Sequence, residues 1–224
     1  MAGKTMQVEK LTEAGQRRRE RMRRLLIEAA MRLFARQGVD ATTIDEIVDV
    51  AGVAKGTFYN YFTDRAEIAR AVASSVRHEM NAAVAEINEG IEDPAERVSR
   101  GVKLYLAFAI RNPVRARILA RIYEGGAEAL KDANQHLLED LADGIARGVL
   151  RVPSIEAALH LVLGVATTGM RHLLDTGATR DVLTGGGYAQ ELATVLLQGL
   201  GVRPAHISRI LARPFDVDHL AVWK

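Results

Sequence analysis

The sequence predicts an all-α fold, and three observations support this prediction. Apolar residues recur at helical spacing along most of the 224 residues, and no stretch alternates apolar and polar residues as a half-buried strand does. Glycine and proline interrupt the pattern at points typical of helix ends. A composition of 48% apolar and 26% charged residues is ordinary for a globular protein, which excludes disorder throughout the chain.

Caps and glycines delimit the first helices. A helix over about residues 17–37 places its apolar residues on one side and ends before Gly38. A short second helix opens at Thr43, a natural N-cap, and stops at Gly52. A third helix begins within residues 53–55. These three helices form a helix-turn-helix unit.

Aromatic residues of the third helix divide into two sets. Phe58 and Phe62 lie one turn apart and can share a core, so Tyr59 and Tyr61 must point elsewhere. Asp64 caps a fourth, longer helix.

Proline and glycine mark the later helices in the same way. The helix over about residues 155–174 is apolar nearly all round, so it must be buried on several sides. The other later helices are predicted to start at Pro94 and Pro113 and to cover about residues 127–148, 189–200 and the stretch between Pro204 and Pro214.

Composition also excludes several classes of protein. The chain has no cysteine, so it has no disulfide, thiolate metal site or cysteine nucleophile. The N-terminus lacks the apolar core of a secretory signal, and the longest charge-free apolar stretch, residues 157–170, is shorter than the roughly 20 residues that span a bilayer. We therefore expect a cytoplasmic protein without a membrane partner.

Positive charge is concentrated at the N-terminus. Residues 1–36 carry ten Lys or Arg and four Glu, a net charge of +6, against +2 for the whole chain. Such a run is either a solvated face or disordered tail, or a surface that meets a polyanion.

The segment 43–62 has the chemistry of a nucleic-acid-binding helix-turn-helix. Two short helices around a glycine turn let the second helix enter a major groove. Hydroxyls at the start of the first helix suit phosphate oxygens, the exposed side of the second helix carries donors, and a glycine there permits close approach of backbone to DNA. The predicted contact residues are Thr42, Thr43, Lys55, Gly56, Thr57, Tyr59, Asn60 and Tyr61.

Residues 18–70 resemble the DNA-binding domain of the TetR family. The shared pattern includes Phe34 with Gly38, Thr43 with Ile47, Ala51-Gly52-Val53, Gly56, Phe58-Tyr59 and Tyr61-Phe62. Val48, Tyr61 and Arg65 depart from the residues most common in the family at their positions but keep their physical character.

The resemblance implies roles for individual residues. Thr43, Tyr59, Tyr61 and Arg65 would hold phosphates, while Lys55 and Thr57 would approach base edges and Asn60 would contact either. It also implies that the basic residues ahead of the first helix can reach a minor groove; these are Arg17, Arg18 and Arg19.

For the whole chain, the resemblance implies a homodimeric repressor that binds a pseudo-palindromic operator and is released by a small-molecule effector. The expected parts are a flexible basic arm (1–16), the DNA-binding domain (17–74), a helical ligand-binding and dimerisation domain (75–213) and a C-terminal tail or docked extension (214–224). Apolar helices near 155–174 and 189–200 independently favour a dimer interface.

Five side chains on helices around the expected regulatory core are candidate effector contacts, although each also fits plain core packing. They are Tyr105, Phe108, Tyr123, His136 and Met170.

The alternatives to a DNA-binding regulator are an enzyme or metal protein and a helical adaptor protein. For an enzyme or metal protein, the six histidines form no HxxxH or HExxH pair, and Thr184 with the following three glycines lacks the strand and Lys-Ser/Thr of a phosphate loop. We therefore expect no enzyme, metal or cofactor. The second alternative is a helical adaptor protein, which would bind DNA weakly and without salt dependence.

Overall fold

The computed structural model describes residues 2–120, 134–177 and 187–223, without the side chains of residues 2–13. Every regular element in these parts is a helix, which confirms the all-α prediction. The chain divides into two compact units, Met1–Ser74 and Ser75–Lys224.

The first unit contains the predicted helix-turn-helix. Its helices are α1 (Ala2–Gln37), α2 (Ile44–Ala51), α3 (Lys55–Tyr59) and the start of α4 (Arg65–Ile87). The ends follow from local chemistry: the Thr43 side chain caps α2, Gly52 ends it with φ of 67°, and the Asp64 carboxylate accepts a hydrogen bond from the Glu67 amide in the first turn of α4.

Helix α1 is longer than predicted. It begins at Ala2, whereas we expected a flexible arm over residues 1–16 and a helix only from about residue 17. The reason is that residues 2–16 contain no proline and many good helix formers, so nothing in the sequence stops the helix from continuing toward the N-terminus.

The core of the first unit is built from α1, α2, α4 and the aromatic residues of the segment 55–62, which contains α3 and is called the recognition segment below. Leu26, Ile47, Phe58 and Ile68 are fully buried, and Phe62 is 1% exposed. The shared core of Phe58 and Phe62 is therefore confirmed. Helix α3 ends at Tyr59, however, so Phe62 lies in the turn after α3 and not in the helix as we predicted.

The second unit contains the rest of α4 and the later helices. These are α5 (Pro94–Arg111), α6 (Pro113–Ala120), α7 (Gln135–Ala146), α8 (Ile155–Thr176), α9 (Tyr188–Gly199), α10 (Pro204–Leu211) and a terminal 3-10 turn (Ala221–Trp223). Helix α5 is central and contacts α6, α7, α8 and α9.

Residues 214–223 dock onto the second unit. The Trp223 ring packs 6.3 Å from the ring of Phe108, between centroids, and the guanidinium of Arg111 lies 4.7 Å from the Trp223 ring centroid. Val217, Leu220 and Val222 are buried. Of the two alternatives for this segment, the structure shows the docked extension.

Helix α8 matches the helix predicted over about residues 155–174 and extends slightly beyond it. By length and composition alone its 22 residues could cross a membrane, although the charge-free stretch within it, residues 157–170, is shorter than a bilayer span. Half of its most apolar window is buried inside the protein, and α8 packs against α5, α6, α7 and α9. Core helices of globular domains share these properties.

Candidate nucleic-acid interface

Buried phenylalanines fix the orientation of α3. Phe58 lies edge-on to the Tyr59 ring at 5.5 Å and 5.7 Å from the Phe62 ring, between centroids. With Phe58 in the core, Tyr59 is 52% exposed. The short helix therefore presents one face to solvent while its other face is part of the core.

Lys55 and Tyr59 are four residues apart and share the exposed face of α3. The ammonium of Lys55 lies 2.7 Å from the Asp45 carboxylate of α2, and both side chains are more than half exposed. The hydrogen bond and the negative charge of Asp45 raise the pKa of Lys55, so this group is cationic throughout the physiological range. A cation held in this way suits the acceptors of a base edge, and the exposed tyrosine beside it suits a phosphate.

The start of α2 is closed by a capping box. The Thr43 hydroxyl accepts a hydrogen bond from the Glu46 amide at 3.2 Å, and the Glu46 carboxylate accepts from the Thr43 amide at 2.8 Å. Hydrogen bonds from the Gln37 side chain first, and then from Thr43, lower the pKa of Glu46. The position at which we expected a phosphate thus holds a carboxylate, a feature that the spacing Thr-x-x-Glu could have predicted.

Two predicted contacts, Thr42 and Arg65, bond to the loop before α2. Thr42 is fully buried and donates its hydroxyl to the Gly38 carbonyl at 2.8 Å, so it stabilises the loop before α2 and does not face DNA. The Arg65 guanidinium donates to the carbonyls of Asp40 and Thr42, at 2.6 and 3.2 Å. Both bonds come from one nitrogen of the guanidinium and Arg65 is exposed, so it holds this loop while its phosphate contact stays a prediction.

The other predicted contacts are at the surface. Gly56 and Asn60 are exposed, and Thr57 and Tyr61 are half-buried. Arg17, Arg18 and Arg19 are exposed on α1, and the Arg19 guanidinium lies 6.0 Å from the Tyr61 ring centroid. At least one basic residue of α1 therefore lies next to the end of the recognition segment.

A substitution at Gly56 tests whether DNA backbone approaches α3 closely at this residue. A Cβ added there would meet no atom within 4 Å, and its φ is not in the left-handed region. We expect Gly56→Ala to stabilise α3 by up to about 1 kcal/mol, because alanine has the higher helix propensity. If DNA backbone approaches this residue, as predicted, the methyl group should lower DNA affinity at least tenfold, roughly 1.4 kcal/mol. Thermal unfolding and a DNA titration measure the two effects; unchanged affinity would contradict the close approach.

A small cavity lies in the second unit among α4, α5, α7 and α8. Its volume is about 60 Å³, and its walls include the apolar side chains of Val98, Val102 and Val162 together with Tyr105 and His136. Such a volume admits a few water molecules, which is far less than the several hundred Å³ of a usual ligand site.

Two of the five candidate effector residues, Tyr105 and His136, thus line one cavity. Phe108 and Met170 are fully buried and are not among its lining residues. Tyr123 and the glycine-rich stretch from Thr184 to residue 186 lie outside the described residues.

An ion-pair network forms one wall of this cavity. Arg97 donates to the carboxylates of Asp140 and Asp143 at 2.5 and 2.8 Å. Burial raises the pKa of Asp140, whereas the hydrogen bond from Arg97 lowers the pKa of the more exposed Asp143. The wall is therefore polar and charged, and the rest of the cavity is mostly apolar.

The described residues show no group of three or more His, Asp or Glu side chains placed to hold a metal ion.

A family model for bacterial regulatory proteins of the tetR family matches residues 26–72. This range contains α2, α3, the turn between them and the buried residues that orient α3.

Relatives with this domain include two bacterial regulators. The chain is 27% identical over 154 residues to YhgD of Bacillus subtilis, an uncharacterized HTH-type transcriptional regulator, covering 64% of this chain and 81% of YhgD. It is 37% identical over 68 residues to the HTH-type transcriptional regulator TtgR of Pseudomonas putida, covering 30% of this chain and 32% of TtgR. The second match therefore covers only about a third of either chain.

Among solved structures, RolR in complex with the ligand resorcinol has a similar fold along most of the chain. The TM-score is 0.65 at 25% identity, and the match covers 90% of this chain and 98% of RolR. RolR without ligand matches with the same TM-score and covers 85% of this chain. The similarity thus extends through the second unit as well as the first.

Proposed function

Because this chain is a TetR-family helix-turn-helix transcriptional regulator, we propose that it acts as a homodimeric repressor released from its operator by a small-molecule effector. The observation that carries the proposal is the exposed face of α3, where Lys55 and Tyr59 stand outward over the buried Phe58. A cytoplasmic location follows from the DNA partner, and the relatives are named as regulators and not as enzymes.

The apolar surface of α8 and α9 supports the proposal that the chain forms a homodimer through these two helices. Val195 is 59% exposed, and a shallow groove between the two helices is lined mainly by apolar groups, including Leu161, Val165 and Leu192. A Cβ added at Gly164 in this groove would meet no atom within 4 Å, so a second copy could approach closely. A two-fold axis through this face would pair identical apolar surfaces and place two α3 helices on a pseudo-palindrome.

The cavity in the second unit supports the proposal that a small-molecule effector binds there. A mostly apolar lining that also includes Tyr105, His136 and the charged Arg97 and Asp140 suits a small hydroxylated aromatic compound, and resorcinol is the ligand bound to RolR. At about 60 Å³ the cavity must enlarge to accept such a ring. An effector would therefore favour a conformation other than the one seen, which is the thermodynamic requirement for ligand control.

The test is a titration of the purified full chain against duplexes that cover the DNA upstream of its own gene, at two salt concentrations. We expect tight wild-type binding that weakens steeply with salt. Lys55→Ala and Tyr59→Ala should each lower affinity about tenfold or more, within the 1–3 kcal/mol typical of a specific contact. Resorcinol and related phenols, added to the bound complex, test effector release.

Arg209→Ala is the matched control, since it removes one exposed positive charge from α10 in the second unit. It should leave the affinity for DNA nearly unchanged. Equal, weak and salt-insensitive binding by all variants would reject the repressor and favour the helical adaptor instead.

A further inference from the structure

The acidic residues of α2 have different partners. Glu46 is engaged on both oxygens: Oε1 accepts from the Gln37 amide at 3.0 Å, and Oε2 accepts from Thr43. Asp45 is 66% exposed at its side chain and contacts Lys55 across the turn at 2.7 Å. Asp49, one turn further along α2, is exposed. Asp45 is therefore the carboxylate of α2 that contacts the Lys55 ammonium of α3.

This ion pair contributes little to stability, because both partners are well exposed and surface pairs are weak. The pair matters for binding instead, because it changes the positive charge that Lys55 presents to a ligand. A lysine ammonium on its flexible stem is a mobile point charge that pairs readily with any phosphate. With a carboxylate 2.7 Å away, its charge is largely compensated toward a phosphate that approaches from solvent.

The Lys55 ammonium can still donate hydrogen bonds to bases while it is paired with Asp45. An ammonium has three N–H donors, and Asp45 accepts one of them. The other two donors suit adjacent acceptors such as the O6 and N7 atoms of guanine in a major groove. The Lys55 ammonium, while paired with Asp45, can therefore still bind a base edge with matching acceptors. It loses much of its attraction for phosphates.

We propose that Asp45 is a specificity-determining residue of the DNA interface, which acts by holding the Lys55 ammonium and so suppressing its pairing with phosphates at non-operator sites. The inference rests on the proposed function, since it assumes that α3 binds DNA. It concerns the ratio of operator affinity to non-operator affinity, which the proposed function leaves open.

The experiment compares two duplexes of equal length and base composition. One is the sequence that the wild-type chain selects from a random pool, and the other is its scrambled form. For Asp45→Asn we expect affinity for the scrambled duplex to rise about five- to tenfold near 0.1 M salt, with a log–log salt slope steeper by about 0.9, as one added phosphate contact requires. Affinity for the selected duplex should change less than about threefold.

Two variants separate this role from a general charge effect. Asp49→Asn removes the same charge from an exposed position of the same helix and should leave the ratio unchanged. Asp45→Glu restores a carboxylate and should recover at least part of the wild-type ratio. In a Lys55→Ala background, Asp45→Asn should have no more effect than Asp49→Asn, which a double-mutant cycle measures.

The inference would be overturned if Asp45→Asn and Asp49→Asn had equal effects, or if Asp45→Asn raised the affinity for both duplexes by the same factor. Neither result would contradict the proposed repressor function. A wild-type chain that selects no duplex and shows no salt-dependent binding would overturn the proposed function itself. The high exposure of Asp45 predicts that Asp45→Asn folds as the wild type does, and a thermal unfolding curve checks this.

Discussion

Replacing Phe58 by alanine should destabilise the Met1–Ser74 unit by about 3–5 kcal/mol and abolish DNA binding. Phe58 is fully buried and packs against Phe62, and α3 has no side-chain hydrogen bond at its N-cap. Helix α3 has only five residues, so its position depends on this ring rather than on its own helical stability. A loss of this size is comparable to the whole stability of a small domain.

Hydrogen exchange of the full chain measures this effect separately in the two units. In Phe58→Ala, the amides of α2 and α3 should lose protection, and those of α5 and α8 should keep it. The control is Tyr59→Ala, since this neighbouring ring is 52% exposed and should weaken DNA binding with little change in protection. Wild-type protection in Phe58→Ala would show that the ring does not position α3.

Gly201→Ala should destabilise the second unit by about 3 kcal/mol or more. The residue has φ of +72°, in the left-handed region, which costs an alanine about 1–2 kcal/mol. An added Cβ would also lie 2.5 Å from the Arg151 carbonyl oxygen. Since the Arg151 amide donates to the Leu200 carbonyl at 2.8 Å, this crossing of two backbone segments cannot open without losing a hydrogen bond.

Gly177 is the matched control for Gly201. It ends α8 with φ of +65°, but a Cβ there would meet no atom within 4 Å. Gly177→Ala should therefore cost only the 1–2 kcal/mol of the backbone conformation. Denaturant unfolding of both variants isolates the steric contribution as their difference; equal losses would show that the backbone at Gly201 shifts freely.

Much of the helical framework was determined by the sequence through local rules. Thr43, Asp64 and Ser154 cap helices because their side chains reach backbone amides one turn ahead, and Gly52 ends α2 because glycine readily adopts a left-handed conformation. The recognition segment and its two buried phenylalanines also followed from spacing. These features depend on residues within about one or two turns of each other.

Only the tertiary structure decided which polar groups of the DNA-binding unit face outward. Thr42 and Arg65 both look like phosphate contacts in the sequence, yet in the folded chain Thr42 is fully buried against the Gly38 carbonyl, whereas Arg65 is exposed and bonds the Asp40 carbonyl. The pairing of Asp45 with Lys55 likewise depends on the angle between α2 and α3. Such partners are close in space through packing and not through spacing, so their distances are set by the burial of Phe58 and Phe62 and cannot be read from the chain alone.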